Sequence, residues 1–224
     1  MKQQFIIHKH YPRLLLFFAG WGADETPFKN YRPDDSDFMI CYDYRTLAFD
    51  TTLLSNYQEI HLVGWSMGVW AATQLLGTWG KGSYLPPIKT SVAINGTPYP
   101  IDEQRGIPPS IYEGTLSGLT DASLHKFLRR MCADKEAFRD FLAVTPRRPL
   151  TELREELALI KELYQSQPTP TFHWQEAVIG SNDRIIPPEN QRQAWQNIEV
   201  HQTEDAHYQV ELFHYYLEER WIKI

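Results

Sequence analysis

Gly64-Trp65-Ser66-Met67-Gly68 sets a serine between two glycines, directly after the apolar run Ile60 to Gly64 and directly before the helical pattern Val69 to Leu76. A serine in a sharp strand-to-helix turn projects its hydroxyl above a sheet, and glycines on either side remove the Cβ atoms that would collide in so tight a bend. The following amide, on Met67, points at the same spot from a helix N-terminus, where a negative oxygen is stabilised. The chemistry implied is attack on a carbonyl carbon by Ser66, with the Met67 N–H as one donor to the oxyanion.

A neutral hydroxyl is a weak nucleophile, so Ser66 needs a histidine base and a carboxylate to orient that base. After an elbow of this type they follow later in the chain, acid first. Asp183 stands just past the apolar run Glu176 to Gly180, where a carboxylate emerges at the same sheet edge as the serine; Asp102, after the preceding run, is the rival acid. Three histidines follow Asp183. His201 falls inside the last strand pattern, His214 inside the last helix pattern, and His207 in the loop between them, which makes His207 the candidate base. A second oxyanion donor is expected from Ala19-Gly20-Trp21-Gly22, where the glycines let backbone approach a substrate and the Trp21 amide is the candidate. The Trp21 indole either walls an acyl pocket or covers the end of the core. His8 and His10 have no carboxylate or cysteine cluster beside them, so they read as edge-strand surface and no metal site is expected.

The elements that must position these residues show in the hydrophobic pattern. Short, continuously apolar runs alternate with longer amphipathic stretches, as in a parallel sheet with crossover helices. Strands are expected at Leu14 to Ala19, Phe38 to Asp43, Ile60 to Gly64, Ser91 to Asn95, Glu176 to Gly180 and Ile198 to Gln202, with an opening strand near Phe5 to Lys9. Helices are expected at Val69 to Leu76, Glu189 to Gln196 and Tyr208 to Arg220. This is an α/β order with a mostly parallel sheet.

The stretch 98–167 breaks the rhythm with three helical patterns in succession, the first capped by Thr120 and the second by Asp134. It reads as a helical cap inserted into a single domain whose core is 1–97 and 168–224. Pro98, Pro100, Pro108 and Pro109 introduce the insertion and Pro168 and Pro170 close it, since a missing amide donor discourages both helix and sheet.

Composition excludes several classes of function. The 224 residues are 42 % hydrophobic and carry 22 basic against 28 acidic side chains, a net charge of −6, so there is apolar mass for one core and the wrong sign for a phosphate-backbone binder. Nucleic acid is not expected as a partner. Two cysteines, Cys41 and Cys132, supply no disulfide framework, and the apolar run Leu14 to Ala19 is far short of the roughly 18 residues a membrane span needs. A cytoplasmic, monomeric protein is expected.

With these motifs in hand, the chain resembles the α/β-hydrolase superfamily over nearly its whole length. More narrowly, Phe17-Phe18-Ala19-Gly20-Trp21-Gly22, the tryptophan-flanked elbow through Trp70, and Asn95-Gly96-Thr97-Pro98 resemble the BioG-type pimeloyl-acyl-carrier-protein methyl ester esterases. The resemblance implies Ser66 as nucleophile, His207 as base, Asp183 as its orienter, and the Trp21 and Met67 amides as oxyanion hole. It also implies a substrate, the methyl ester at the far end of a pimeloyl chain on acyl carrier protein, and no cofactor. An acidic enzyme meeting an acidic carrier needs a local positive surface. From His125 to Arg148 there are seven Lys and Arg side chains against three Asp and Glu, and Arg129, Arg130, Arg139, Arg147 and Arg148 are expected to include the docking residues. The residues by themselves leave open an esterase or thioesterase for other short acyl groups, or a non-catalytic hydrolase-like binding protein.

Overall fold

The computed structural model describes residues 1–78, 85–167 and 171–222. Seven strands, β1 (Lys2–Ile7), β2 (Arg13–Phe18), β3 (Ser36–Tyr42), β4 (Glu59–Trp65), β5 (Ile88–Ile94), β6 (Glu176–Gly180) and β7 (Glu199–Thr203), form one sheet in the order β1-β3-β2-β4-β5-β6-β7. Only β1 runs antiparallel to its neighbour; every other pair is parallel. The carboxyl ends of β2, β4, β5, β6 and β7 therefore lie along one edge.

The expected mostly parallel α/β sheet is what the chain forms, with β6 as expected and the ends of the other strands shifted by one to three residues. Successive β2 side chains divide between two cores. Leu14, Leu16 and Phe18 join Leu62 and the α1 (Met67–Leu76) residues Trp70 and Ala71, whereas Leu15 and Phe17 join Val63, Trp65 and Phe213 on the other face. Both faces are covered, which is why the central strands read as unbroken apolar runs.

Four helices, α2 (Pro109–Ser117), α3 (Asp121–Met131), α4 (Lys135–Ala143) and α5 (Leu150–Ser166), stand between β5 and β6, one more than the three expected. The extra helix, α2, begins with Pro109 in its first turn. Proline has no N–H to lose there and its φ is already helical, so Pro108-Pro109 starts a helix as well as interrupting the chain. The caps fall as expected. Thr120 makes a reciprocal pair with Ser123 at α3, and the Asp134 carboxylate accepts from the Glu136 and Ala137 amides at α4. Pro168 and Pro170 lie outside the described residues. The chain ends with α6 (Pro188–Ala194) and α7 (Val210–Leu217); α7 stops three residues before Arg220, where Glu219 turns to positive φ.

Candidate active site

Ser66 stands between β4 and α1 at φ 56° and ψ −125°, a backbone conformation few non-glycine residues adopt and one that costs about 1–3 kcal/mol. The surroundings hold it there. Its N–H donates to the Ile94 carbonyl at 2.9 Å, and its carbonyl accepts the Val69 N–H at 3.1 Å. A Cβ on Gly68 would lie 2.1 Å from the Phe18 carbonyl oxygen, so α1 starts directly against the end of β2.

Three of the expected residues converge. The Ser66 Oγ and His207 Nε2 are 2.8 Å apart, and His207 Nδ1 is 2.8 Å from Asp183 Oδ2. A carboxylate facing Nδ1 calls for the proton on that nitrogen, which leaves Nε2 as acceptor for the serine hydroxyl. Both partners are buried. Asp183 is oriented from three further directions: Oδ1 accepts the Ile185 and Ile186 amides at 2.7 and 3.1 Å, and Oδ2 accepts Gln191 Nε2 at 2.8 Å.

The rivals sit elsewhere. Asp102 accepts the Gln104 and Arg105 amides and pairs with the Arg105 guanidinium at 3.0 Å, and burial opposed by that guanidinium leaves its carboxyl below the usual range. His201 projects from β7 beside Glu176 and Glu199 at 3.6 and 3.5 Å, with nearly half its side chain exposed. His214 lies on α7 beside Glu218. His8 stacks on Phe5 at 4.1 Å and meets His10 at 4.5 Å.

Trp21 and Met67 line the same apolar cavity as Ser66 and His207, together with Ile111 and Tyr112 of α2, Phe127 of α3 and Leu157 of α5. The Trp21 indole N–H donates to the Leu153 carbonyl at 3.0 Å, so this ring is a cavity wall tied to α5. Trp21, Trp65, Phe127 and Met131 also line a second apolar cavity, which lacks Ser66 and His207.

The five expected docking arginines separate. Arg129, Arg130 and Arg147 are exposed, and Arg130 reaches the rim of the Ser66 cavity. Arg139 is exposed but held by Glu136 and Asp140 at 3.3 and 3.1 Å. Arg148 is corrected outright: its side chain is 4 % exposed and pairs with Asp43 at 2.9 Å and with wholly buried Glu156 at 2.6 Å, so no partner can reach it. Charge counting along the sequence could not see that these carboxylates fold onto it.

Sequence reasoning missed four contributors. Arg184 lines both the Ser66 cavity and an outer groove with Lys126, Arg129 and Arg130, and none of the four has an ion-pair partner among the described residues. Gln191 had no signal beyond its place on a short helix. Trp65, inside the elbow, donates its indole N–H to the His207 carbonyl at 2.9 Å. Asn95 reaches the same carbonyl from the end of β5, where a polar residue closing an apolar strand was the available cue.

The chain is similar to several known proteins. A Bacteroides fragilis protein named malonyl-[acyl-carrier protein] O-methyltransferase is 56 % identical over 196 residues, 87 % of this chain; the chain spans 39 % of that relative's length. A Haemophilus influenzae protein of no stated function is 40 % identical over 198 residues and 88 % of its own length. The crystal structure of BioG from Haemophilus influenzae superposes with a TM-score of 0.84 at 37 % identity, covering 96 % of this chain and 97 % of that one. An enol-lactonase from Burkholderia xenovorans, at 11 % identity and TM-score 0.67 over 98 % of this chain and 94 % of that one, shares the α/β-hydrolase fold. The family model described as pimeloyl-ACP methyl esterase BioG matches residues 1–218, and with the Haemophilus likeness this shows that the chain belongs to the BioG family of α/β-hydrolase esterases.

Proposed function

We propose that this chain hydrolyses the methyl ester of pimeloyl-acyl carrier protein, releasing methanol and leaving the carrier-bound free acid for biotin synthesis. The observation that carries the reading is the continuous line from Ser66 Oγ through His207 to Asp183, 2.8 Å at each step, inside an apolar cavity. The carrier-linked methyl ester is supported by the matching family model, and by a relative named as a methyltransferase for a carrier-bound acid.

In this reading His207 Nε2 takes the Ser66 proton as Oγ attacks the ester carbonyl, and the proton then passes to the departing methoxide. Asp183 keeps the imidazole in its Nδ1–H form and stabilises the imidazolium. The Trp21 and Met67 amides are the donors to the oxyanion, an interaction whose loss costs on the order of 3 kcal/mol in the barrier. Water, activated by the same His207, attacks the acyl-enzyme and frees Ser66. The neutral ester suits the apolar cavity, whereas the product carboxylate is costly to desolvate there, which favours release.

The segment 98–167 serves as the cap over this cavity, within a single domain. The carrier protein docks on the exposed cations Arg129, Arg130, Arg139 and Arg147, with Lys126 and Arg184 beside them and Arg130 and Arg184 at the cavity rim. Purified protein and its Ser66→Ala variant, incubated with pimeloyl-carrier methyl ester, test the reading by methanol release. Release by the first and none by the second is expected; equal release by both rules out the Ser66 mechanism, and no release by either rules out the substrate.

A further inference from the structure

Asn95 follows β5 in the left-handed region at φ 45°, a conformation that the short Asn side chain tolerates better than most, and it is wholly buried. Its carboxamide is used at both ends. Oδ1 accepts the Gly180 N–H at 2.7 Å, three residues before Asp183, while Nδ2 lies 3.0 Å from the Ala206 carbonyl and 3.1 Å from the His207 carbonyl. The preceding residue, Ile94, accepts the Ser66 N–H at 2.9 Å. One side chain thus ties the segment bearing the acid to the segment bearing the base, from the strand that also holds the serine backbone.

We infer that Asn95 is a positioning residue for the reaction, an inference that rests on reading Ser66, His207 and Asp183 as the catalytic array. Nothing else of the same size presents an acceptor to one segment and two donor hydrogens to the other. The β5 end has little freedom to compensate. A Cβ on Gly96 would fall 2.4 Å from the Ser66 carbonyl oxygen, and the Gly96 carbonyl accepts the Trp195 indole N–H at 3.0 Å. Asn95 does not line the Ser66 cavity, so its effect falls on the alignment of His207 and not on substrate binding. Displacement of a reacting group by about 1 Å costs on the order of 100-fold in rate.

The test is Asn95→Asp beside Trp65→Phe and the Ser66→Ala control, assayed for methyl ester hydrolysis from about pH 5 to about pH 9, with KM and kcat resolved. A protonated Asp keeps an acceptor for Gly180 and one donor for the His207 segment; an ionised Asp sets a carboxylate against two carbonyl oxygens. Burial raises the pKa of such a carboxyl, which brings its ionisation into the assayed range. The expected result is a kcat for Asn95→Asp that falls relative to the parent as pH rises, to a loss on the order of 100-fold, with KM unchanged within about two-fold. Trp65→Phe, which deletes the other donor to the His207 carbonyl but also alters the wall of the Ser66 cavity, should lose kcat by about ten-fold at every pH. If Asn95→Asp does not fold, Asn95→Ser decides by the same kcat and KM readout, since its short hydroxyl cannot span the Gly180 and His207 segments. Parent-like kcat in a folded Asn95→Asp, or in Asn95→Ser where that variant decides, overturns the inference while an inactive Ser66→Ala leaves the catalytic reading intact. Activity retained by Ser66→Ala overturns both.

Discussion

The Arg148 guanidinium lies 2.6 Å from the Glu156 carboxylate, and both groups are inside the protein, with Glu156 wholly buried. Glu156 also accepts the Tyr44 N–H at 2.7 Å, and Arg148 reaches Asp43, so α5 is fastened to the turn after β3 through charge. Burial pushes the Glu156 carboxyl above its usual range, opposed by Arg148. Deleting one member of such a buried pair leaves the other uncompensated, at a cost of about 3–5 kcal/mol. Arg148→Met is therefore expected to lower the midpoint of chemical unfolding sharply, and an unchanged midpoint would show the pair to be idle.

Asp43 contributes to the acid side of stability, beside Glu59 and Asp102, whose carboxyls are also held below the usual range by Arg13 and Arg105. Burial alone would raise the Asp43 carboxyl, but Arg45 and Arg148 hold it below the usual range. The unfolded chain then takes up this proton more readily than the folded one as pH falls. The stabilisation is complete above the unfolded value near about 4 and disappears as pH drops through the lower folded value. Asp43→Asn should flatten that acid limb in unfolding midpoints measured against pH; an equally steep limb would refute the assignment.

Asp183→Asn keeps the size of the group and loses its charge. The amide can donate to His207 Nδ1 and so favours the tautomer with the proton on Nε2, facing Ser66. A kcat loss on the order of 10⁴-fold is expected, with the fold retained by circular dichroism. A loss under ten-fold would place the orienting carboxylate elsewhere.

Phe127 meets Trp21 edge to face at 5.0 Å, and the two are part of the wall common to both cavities. Phe127→Ala joins the spaces. The rate for a butyl ester relative to the methyl ester should rise about ten-fold or more, since each methylene placed in an apolar pocket is worth about 1–3 kcal/mol. A ratio unchanged from the parent would mean that the second cavity is closed to the substrate by something other than this ring.

Arg130 and Arg184 flank the cavity rim without carboxylate partners among the described residues. The double variant Arg130→Glu/Arg184→Glu should slow hydrolysis of the carrier-bound ester at low salt about ten-fold or more and reduce its salt dependence, because rim charges act chiefly on encounter. Hydrolysis of a small uncharged ester should stay near the parent rate. Equal effects on both substrates would show that the charges act on the chemistry and not on docking.

What the sequence determined by itself is local in origin. The apolar runs of β2, β4 and β6, the elbow glycines around Ser66, and the Thr120 and Asp134 caps each depend on neighbours a few residues away, and all are where the pattern put them. The choice of Asp183 and His207 followed from the carboxyl edge of a parallel sheet, which a strand order already implies. The tertiary structure decided what depends on distant partners. Arg148 left the surface because Asp43 and Glu156 are brought to it from other elements. Asn95 and Gln191 gained partners 85 to 112 and 8 positions away, through turns whose angles no pattern encodes. Helix α2 was hidden because a proline that ends one element can also begin the next, and only the packing of Tyr112 beneath α5 shows which it does.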